Sequence, residues 1–246
     1  MSLKVITIDF WNTIFDSSSG LDRNKYRLNA LITETDKLGC FIKQEELEPA
    51  MKSSWEYFNH VWMNEQRTPS SIELVNYFWK KLNIPDNTES KIKISETFSN
   101  SILAYPPKLV SNLRDSLELL QKDYKLGIVS DTGFSPGKLL KKLLEKEGIL
   151  DYFKAFSFSD ETGVAKPHKR AFLTVLNHFG CKPDEALHIG DIEATDILGA
   201  KSLGMKAIRF DGDSSAFLVK ENPKETVADF ECSDWSEIPS LIKKLN

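Results

Sequence analysis

From Tyr105 onward the chain alternates between two patterns, and that alternation limits what it can become. A helix-like stretch at 109–122 leads into an apolar run at 126–129. The same succession recurs at 136–147 and 155–159, at 168–179 and 186–189, and at 194–203 and 207–210. Short apolar runs spaced by amphipathic helices predict parallel strands covered on both faces. Residues 4–10 hold one more such run, Val5-Ile6-Thr7-Ile8 at its centre. A lone buried strand leaves its backbone groups unpaired, so this run is placed in the same sheet. The expected fold class is therefore α/β, a doubly wound parallel sheet.

Between residues 21 and 103 no strand pattern occurs. Leu21, Leu28, Leu31 and Ile32 recur at helical spacing ahead of Gly39. Ser70-Ser71-Ile72-Glu73 is a capping box ahead of Leu74, Phe78 and Leu82, and Asp86-Asn87-Thr88-Glu89 offers a similar start. The block reads as an all-helical insertion after the first strand. That gives a core domain of residues 1–16 and 105–246 and an inserted domain of residues 17–104, with hinges near 16–19 and 104–108.

Composition narrows the classes of function. Hydrophobic residues at 41% and charged residues at 28% describe a globular chain, not a disordered one. The formal net charge of −4 argues against nucleic acid, whose phosphates select basic stripes. No apolar run approaches the ~20 residues of a membrane helix. Cys40, Cys181 and Cys232 are odd in number and far apart, which predicts reduced thiols and excludes a CxxC-type metal site. No basic segment or cleavage site precedes Val5, so the expected location is cytoplasmic. The expected partner is a small molecule and the expected assembly a monomer or weak dimer.

In open α/β sheets ligands bind beyond the carboxyl ends of the strands. Polar groups stand there: Asp9 after the first strand, Ser130-Asp131 after 126–129, and Asp191 after 186–189. Gathering carboxylates is costly unless a cation neutralises them. A hard divalent ion with oxygen ligands answers that need, and Mg2+ is the commonest.

Four motifs follow one another across essentially the whole chain: Asp9-Phe10-Trp11-Asn12-Thr13-Ile14, Ser130 closing Gly127-Ile128-Val129, Lys166-Pro167, and Gly190-Asp191-Ile192-Glu193-Ala194-Thr195-Asp196. On these residues the sequence resembles the haloacid dehalogenase superfamily, most of whose members are phosphatases. The helical insertion looks like that family's C1-type cap on a Rossmann-like core. The resemblance implies an Mg2+-dependent hydrolase of a small phosphorylated metabolite. It casts Asp9 as nucleophile, Ser130 as donor to a phosphoryl oxygen, and Lys166 as the cation bridging Asp9, Asp191 and the transferring group. Thr13, Asp131 and Thr132 are placed in the substrate-binding set. Asp191, Asp9 and the main-chain carbonyl of Trp11 are implied as metal ligands. Asp196 joins the metal site by orienting bound water, with Glu193 in reserve.

Trp11 departs from the pattern. Phosphatases of the family carry a second aspartate two residues after the nucleophile, which protonates the leaving alkoxide and then activates water. General acid–base help of this kind is worth ~10²–10⁴-fold in rate. An indole N–H donates a hydrogen bond but delivers no proton. Residues i and i+2 of an extended segment face the same way, so Trp11 is expected beside Asp9. Asn12 also replaces the usual glycine. One reading keeps a phosphohydrolase that uses another acid, such as Asp16, Asp131 or a cap residue. A second has attack at carbon, as in the family's dehalogenases, which also lack that aspartate but lack the metal motif kept here at Gly190-Asp191. A third is a binding module without turnover.

Within the insertion, Trp55, Phe58 and Trp62 share a helical face and are expected in the bundle core. Arg23, Arg27 and Arg67 are expected as solvated charge, His60 as a surface residue, and His188 as a packed, hydrogen-bonded ring. No GxGxxG or GxxxxGK[ST] motif is present.

Overall fold

A computed structural model describes residues 2–215 and 222–245. Six parallel strands form one sheet: β1 (Val5–Ile8), β2 (Lys125–Ser130), β3 (Phe153–Phe158), β4 (Ala186–Gly190), β5 (Lys206–Phe210) and β6 (Phe230–Cys232). Their spatial order is β3-β2-β1-β4-β5-β6. The order reverses at β1, and Ile8 pairs with Ile128 on one side and Ile189 on the other. The residues that follow these strands therefore emerge side by side at a switch point, where such sheets bind ligands. This is the doubly wound α/β sheet that the alternation predicts.

Both faces are covered. One carries α5 (Leu113–Leu120), α6 (Gly137–Lys146) and α10 (Ile238–Lys243), whose leucines and isoleucines pack on Ile6, Ile8, Leu126, Ile128, Leu187 and Ile189. The other carries α8 (Lys169–Phe179) and α9 (Leu198–Ser202), with Phe172, Val175 and Ala200 against Val5, Val129 and Ala207. The short α7 (Ser159–Thr162) follows β3.

Four helices lie between β1 and α5 in the chain. They are α1 (Gly20–Lys37), α2 (Gln44–Glu65), α3 (Ser71–Lys81) and α4 (Thr88–Ala104). Ser70 Oγ accepts the N–H of Glu73, and Asn87 Oδ1 that of Ser90, so both expected starts are real caps. Their core joins Leu31, Leu74, Phe78, Trp79 and Phe98 to Phe134 and Ala165 from beyond β2 and β3. The helices are thus docked on the sheet's carboxyl end. Among the described residues no helix is long and apolar enough to cross a membrane.

Several boundaries differ from the sequence expectation. The 109–122 helix contracts to α5 because Asn112 adopts φ 61° and Leu109 bridges to Phe15. The third strand begins at Phe153 and stops at Phe158, since Ser159 opens α7. The 194–203 helix begins as a wide π-type turn, Glu193–Ile197, before α9. α7, β6 and α10 have no counterpart in that expectation; a four-residue helix and a three-residue edge strand are too short to show a period.

Candidate active site

Asp9 leaves β1 with its N–H donated to Ile189 O at 2.8 Å, which fixes it beside the end of β4. Lys166 reaches in from the loop ahead of α8. Its ammonium hydrogen-bonds Asp9 Oδ1 and lies 2.6 Å from Asp196 Oδ1, all three side chains being buried. Asp196 is held from other sides as well. His188 Nε2 is 2.9 Å from Oδ1, and the N–H of Ile192 donates to Oδ2 at 3.1 Å. Burial lowers the pKa of His188 against the pull of Asp196, and its Nδ1 lies 2.8 Å from the Thr7 hydroxyl.

Asp191 follows Gly190 and is just as buried. Asn12 Nδ2 donates to its Oδ2 at 2.8 Å. Asn12 adopts φ 57°, a left-handed conformation that Asn tolerates better than most residues. The substitution for glycine therefore keeps the turn and adds a hydrogen bond to Asp191. Ser17 Oγ in turn holds Asn12 Oδ1.

The electrostatics are those of crowded carboxylates. Burial pushes Asp9 up to about 7, with Lys166 pulling against it and Asp196 adding to it. Burial and the charges of Asp9 and Asp196 raise Asp191 well above the usual carboxylate range. Burial acts on Asp196 too, yet Lys166 and the His188 hydrogen bond hold it below that range. Lys166 is raised despite its burial, by Asp196, Asp9 and Asp131. The cluster's lysine, Lys166, is shared between Asp9 and Asp196, so one ammonium faces three buried carboxylates and compensates the repulsion between Asp9 and Asp191 only in part.

Among the described residues, two buried hydroxyl oxygens, Ser130 Oγ and Thr13 Oγ1, have no hydrogen-bond partner. Orphaned buried polar atoms are rare and ask for a reason. Ser130 stands at the end of β2, the strand next to β1.

The structure corrects three sequence expectations about this cluster. Thr132 does not face the cavity: its hydroxyl is shared with Ser159 Oγ at 2.9 Å and accepts the N–H of Asp160, so it ties the loop after β2 to α7. Glu193 is no reserve ligand, because Arg209, Thr226 Oγ1 and the N–H of Val227 occupy its carboxylate. Asp196 anchors Lys166 with oxygens that are already engaged. Asp131 does border the cavity, accepting Trp62 Nε1–H at 2.8 Å and the N–H of Lys166 at 2.9 Å. Burial, partly offset by Lys166, pushes its pKa up to about 6.

Above the cluster lies a cavity of about 700 Å³ between the sheet and the helical insertion. Trp11 faces it beside Asp9, as i and i+2 geometry requires. Trp55, Phe58 and Trp62 pack with the insertion's core and also line this cavity, so the assignment to core alone was incomplete. Arg23 and Arg27 overturn the expectation of solvated charge: both are buried and both line the cavity. Arg67 does pair at the surface, with Glu65 and Glu73, and His60 is exposed beside Asn64.

A doubly wound sheet that gathers three aspartates and a lysine at its switch point, under a helical roof, is the frame of an α/β enzyme built around a buried carboxylate cluster. The chain belongs to the haloacid dehalogenase-like hydrolase family, whose model matches residues 3–204. It is 31% identical over 171 residues to the glyceraldehyde 3-phosphate phosphatase of Pyrococcus furiosus, covering 70% of this chain and 69% of that protein. It is 28% identical over 235 residues to the Rhythmically expressed gene 2 protein of Drosophila melanogaster, covering 89% and 86%. The crystal structure of 2-haloacid dehalogenase from Pseudomonas syringae pv. Tomato DC3000 superposes with a TM-score of 0.74 at 21% identity, over 99% of this chain and 100% of that one. At that identity the likeness is one of fold.

Proposed function

We propose that this hydrolase removes phosphate from a small phosphorylated metabolite, with Asp9 as nucleophile and Mg2+ as cofactor. The observation that carries the reading is the pairing of Lys166 with Asp9 and Asp196 beside the partnerless hydroxyl of Ser130. That arrangement suits an anion arriving between an ammonium and a hydroxyl donor. The P. furiosus relative, a phosphatase by name, supports the same substrate class.

The donor set fits the metal. Among the described residues no three His, Cys, Asp or Glu side chains form an all-protein cage. Magnesium does not need one, because it binds through one or two carboxylates and keeps several waters. Asp9, Asp191 and the Trp11 carbonyl would hold it, and the raised pKa values of both carboxylates mark where positive charge is missing. When bound, the ion offsets repulsion between the nucleophile and the anionic ester.

Asp9 attacks phosphorus in line, forming an acyl phosphate as the ester oxygen departs, and water then cleaves the acyl phosphate. Lys166 orients the Asp9 carboxylate and lowers the charge around it. Ser130 donates to a non-bridging oxygen. Trp11 excludes water beside the reacting centre but offers no proton, so the ester oxygen leaves with little protonation. The same Trp11 favours a second reading, displacement of halide from carbon, in which the leaving group needs no proton.

One assay separates the two. Phosphate and halide release are followed on panels of phosphomonoesters and 2-haloacids, with Mg2+ and with EDTA, for the protein and for Asp9→Asn. Phosphate release abolished by EDTA and by Asp9→Asn is the expected result. Halide release that persists in EDTA would overturn it.

A further inference from the structure

The helical wall of the cavity contains a charge arrangement that phosphoryl transfer at Asp9 does not use. Arg27 is 5% exposed, its guanidinium carbon lies 4.2 Å from the Phe134 ring centre, and its hydrogen bonds go to neutral oxygens: Asn24 Oδ1 at 3.0 Å and Phe98 O at 3.5 Å. Arg23, one helical turn earlier, is 7% exposed and donates to Ser19 Oγ at 2.6 Å and Tyr105 O at 3.3 Å. Its guanidinium carbon lies 5.5 Å from the Trp11 ring centre. Among the described residues neither arginine forms an ion pair with a carboxylate. Burial lowers the pKa of Arg23, with Asp16 pulling against it, and burial together with Arg23 lowers that of Arg27.

Buried guanidinium groups without a counterion are expensive, and neighbouring like charges make them more so. Burial and Arg23 pull Arg27 down to about 9. The remaining charges on the cavity lining do not cancel the pair. Lys52 and Glu56 on α2 are exposed, Asp131 is committed to Trp62 and the Lys166 N–H, and Asp9, Asp191 and Asp196 belong to the floor. Trp11, Trp55, Phe58 and Phe134 also line the cavity, Trp11 and Phe134 against the two guanidinium groups.

We propose that Arg27 and Arg23 form a second anion subsite, so that the substrate is a phosphomonoester carrying a carboxylate or a second phosphate at the far end of an apolar body. The inference rests on the phosphatase reading and refines its substrate class. A guanidinium fork matches either oxyanion through paired N–H donors, and the cavity of about 700 Å³ is larger than one phosphate fills. The aromatic walls take the carbon skeleton.

The test compares phosphate esters of ω-(4-hydroxyphenyl)alkanoic acids, with two to five carbons in the acid chain, against their methyl esters and against matching bisphosphates. Each is assayed with the protein, with Arg27→Met and with Arg27→Lys. The acid or the bisphosphate should be preferred over the neutral ester at least about tenfold in kcat/KM at one chain length, and whichever leads identifies the anion. Arg27→Met should collapse that ratio towards one through KM, and Arg27→Lys should restore part of it. Should Arg27→Met fail to fold, competitive inhibition of the wild type by the free hydroxy acid, absent for its methyl ester, gives the same answer. Equal turnover of acid, bisphosphate and neutral ester overturns the subsite and leaves the phosphatase reading standing. So does an Arg27→Met loss that falls equally on all three, which would assign Arg27 to the transferred phosphate. No phosphate release from any of them overturns the phosphatase reading itself.

Discussion

Lys166 Nζ lies 2.6 Å from Asp196 Oδ1, and that oxygen is also the partner of His188 Nε2. The position of the ammonium is therefore set by two buried side chains behind it as well as by Asp9 in front. Asp196→Asn should leave the lysine paired with Asp9 alone, tightening its grip on that carboxylate. The expected outcome is a loss of kcat of about 10²-fold with KM little changed, the pattern of a lost transition-state interaction. Breaking a buried ion pair from one side also costs ~3–5 kcal/mol of stability. Urea unfolding beside steady-state kinetics separates the two effects. A variant with wild-type kcat would remove Asp196 from the account.

Trp11 predicts an unusual sensitivity to the leaving group. With no proton donor at that position, aryl phosphates should be turned over faster than alkyl phosphates by more than their intrinsic reactivity explains. The excess should approach the ~10²–10⁴-fold that general acid catalysis normally contributes. Trp11→Asp should narrow the gap by raising alkyl phosphate turnover. Rates plotted against leaving-group pKa for both proteins give the slope. An unchanged slope would mean that the proton comes from elsewhere.

The floor of the site was legible because each of its groups follows an element with a strong local signal. Asp9, Ser130 and Asp191 cap apolar strands, and Lys166 precedes a proline. Parallel strands must end together at the switch point, so linear order was enough to bring these residues close. The roof was not legible in the same way. An arginine is ordinarily exposed, and the burial of Arg27 depends on Phe98 from α4 and Phe134 from beyond β2, contacts that no local pattern encodes. A weak signal existed: Arg23, Arg27 and Leu31 recur at i, i+4 and i+8, which puts both arginines on the buried stripe of α1. Thr132 misled for the opposite reason. Its neighbours in sequence face the site, but the hydroxyl of Ser159 captures it.

Asp131 gives a prediction in pH. Its pKa is raised to about 6 in the folded state by burial, against an ordinary aspartate value of about 4 in the unfolded chain. Between those values the native state binds more protons than the unfolded one, so stability falls as pH rises from 4 to about 6. Asp131→Asn removes this titration. The wild type should therefore lose ground to the variant by about 1–2 kcal/mol over that range; this is less than the whole shift implies, because the cavity admits water to the carboxylate. Urea midpoints for both proteins at pH 4, 5, 6 and 7 measure it. A constant difference across the series would contradict it.

Gly190 offers the sharpest test of how the cluster is assembled. A Cβ at this position would sit 2.5 Å from Asp196 Oδ1 and 2.6 Å from Asp196 Cβ, well inside contact distance. Gly190 is therefore needed for the close approach of the aspartate that anchors Lys166. Gly190→Ala should cost about 1–3 kcal/mol by overpacking and should reduce kcat as Asp196 is displaced. The mechanism makes the two positions interdependent. In Asp196→Gly the clashing side chain is gone, so adding Gly190→Ala should cost little more. Neighbours in contact typically show interaction energies of about 0.5–3 kcal/mol in a double-mutant cycle. Unfolding free energies of the two single variants and the double variant close the cycle. Simple additivity would show that Gly190 is required for a reason other than Asp196.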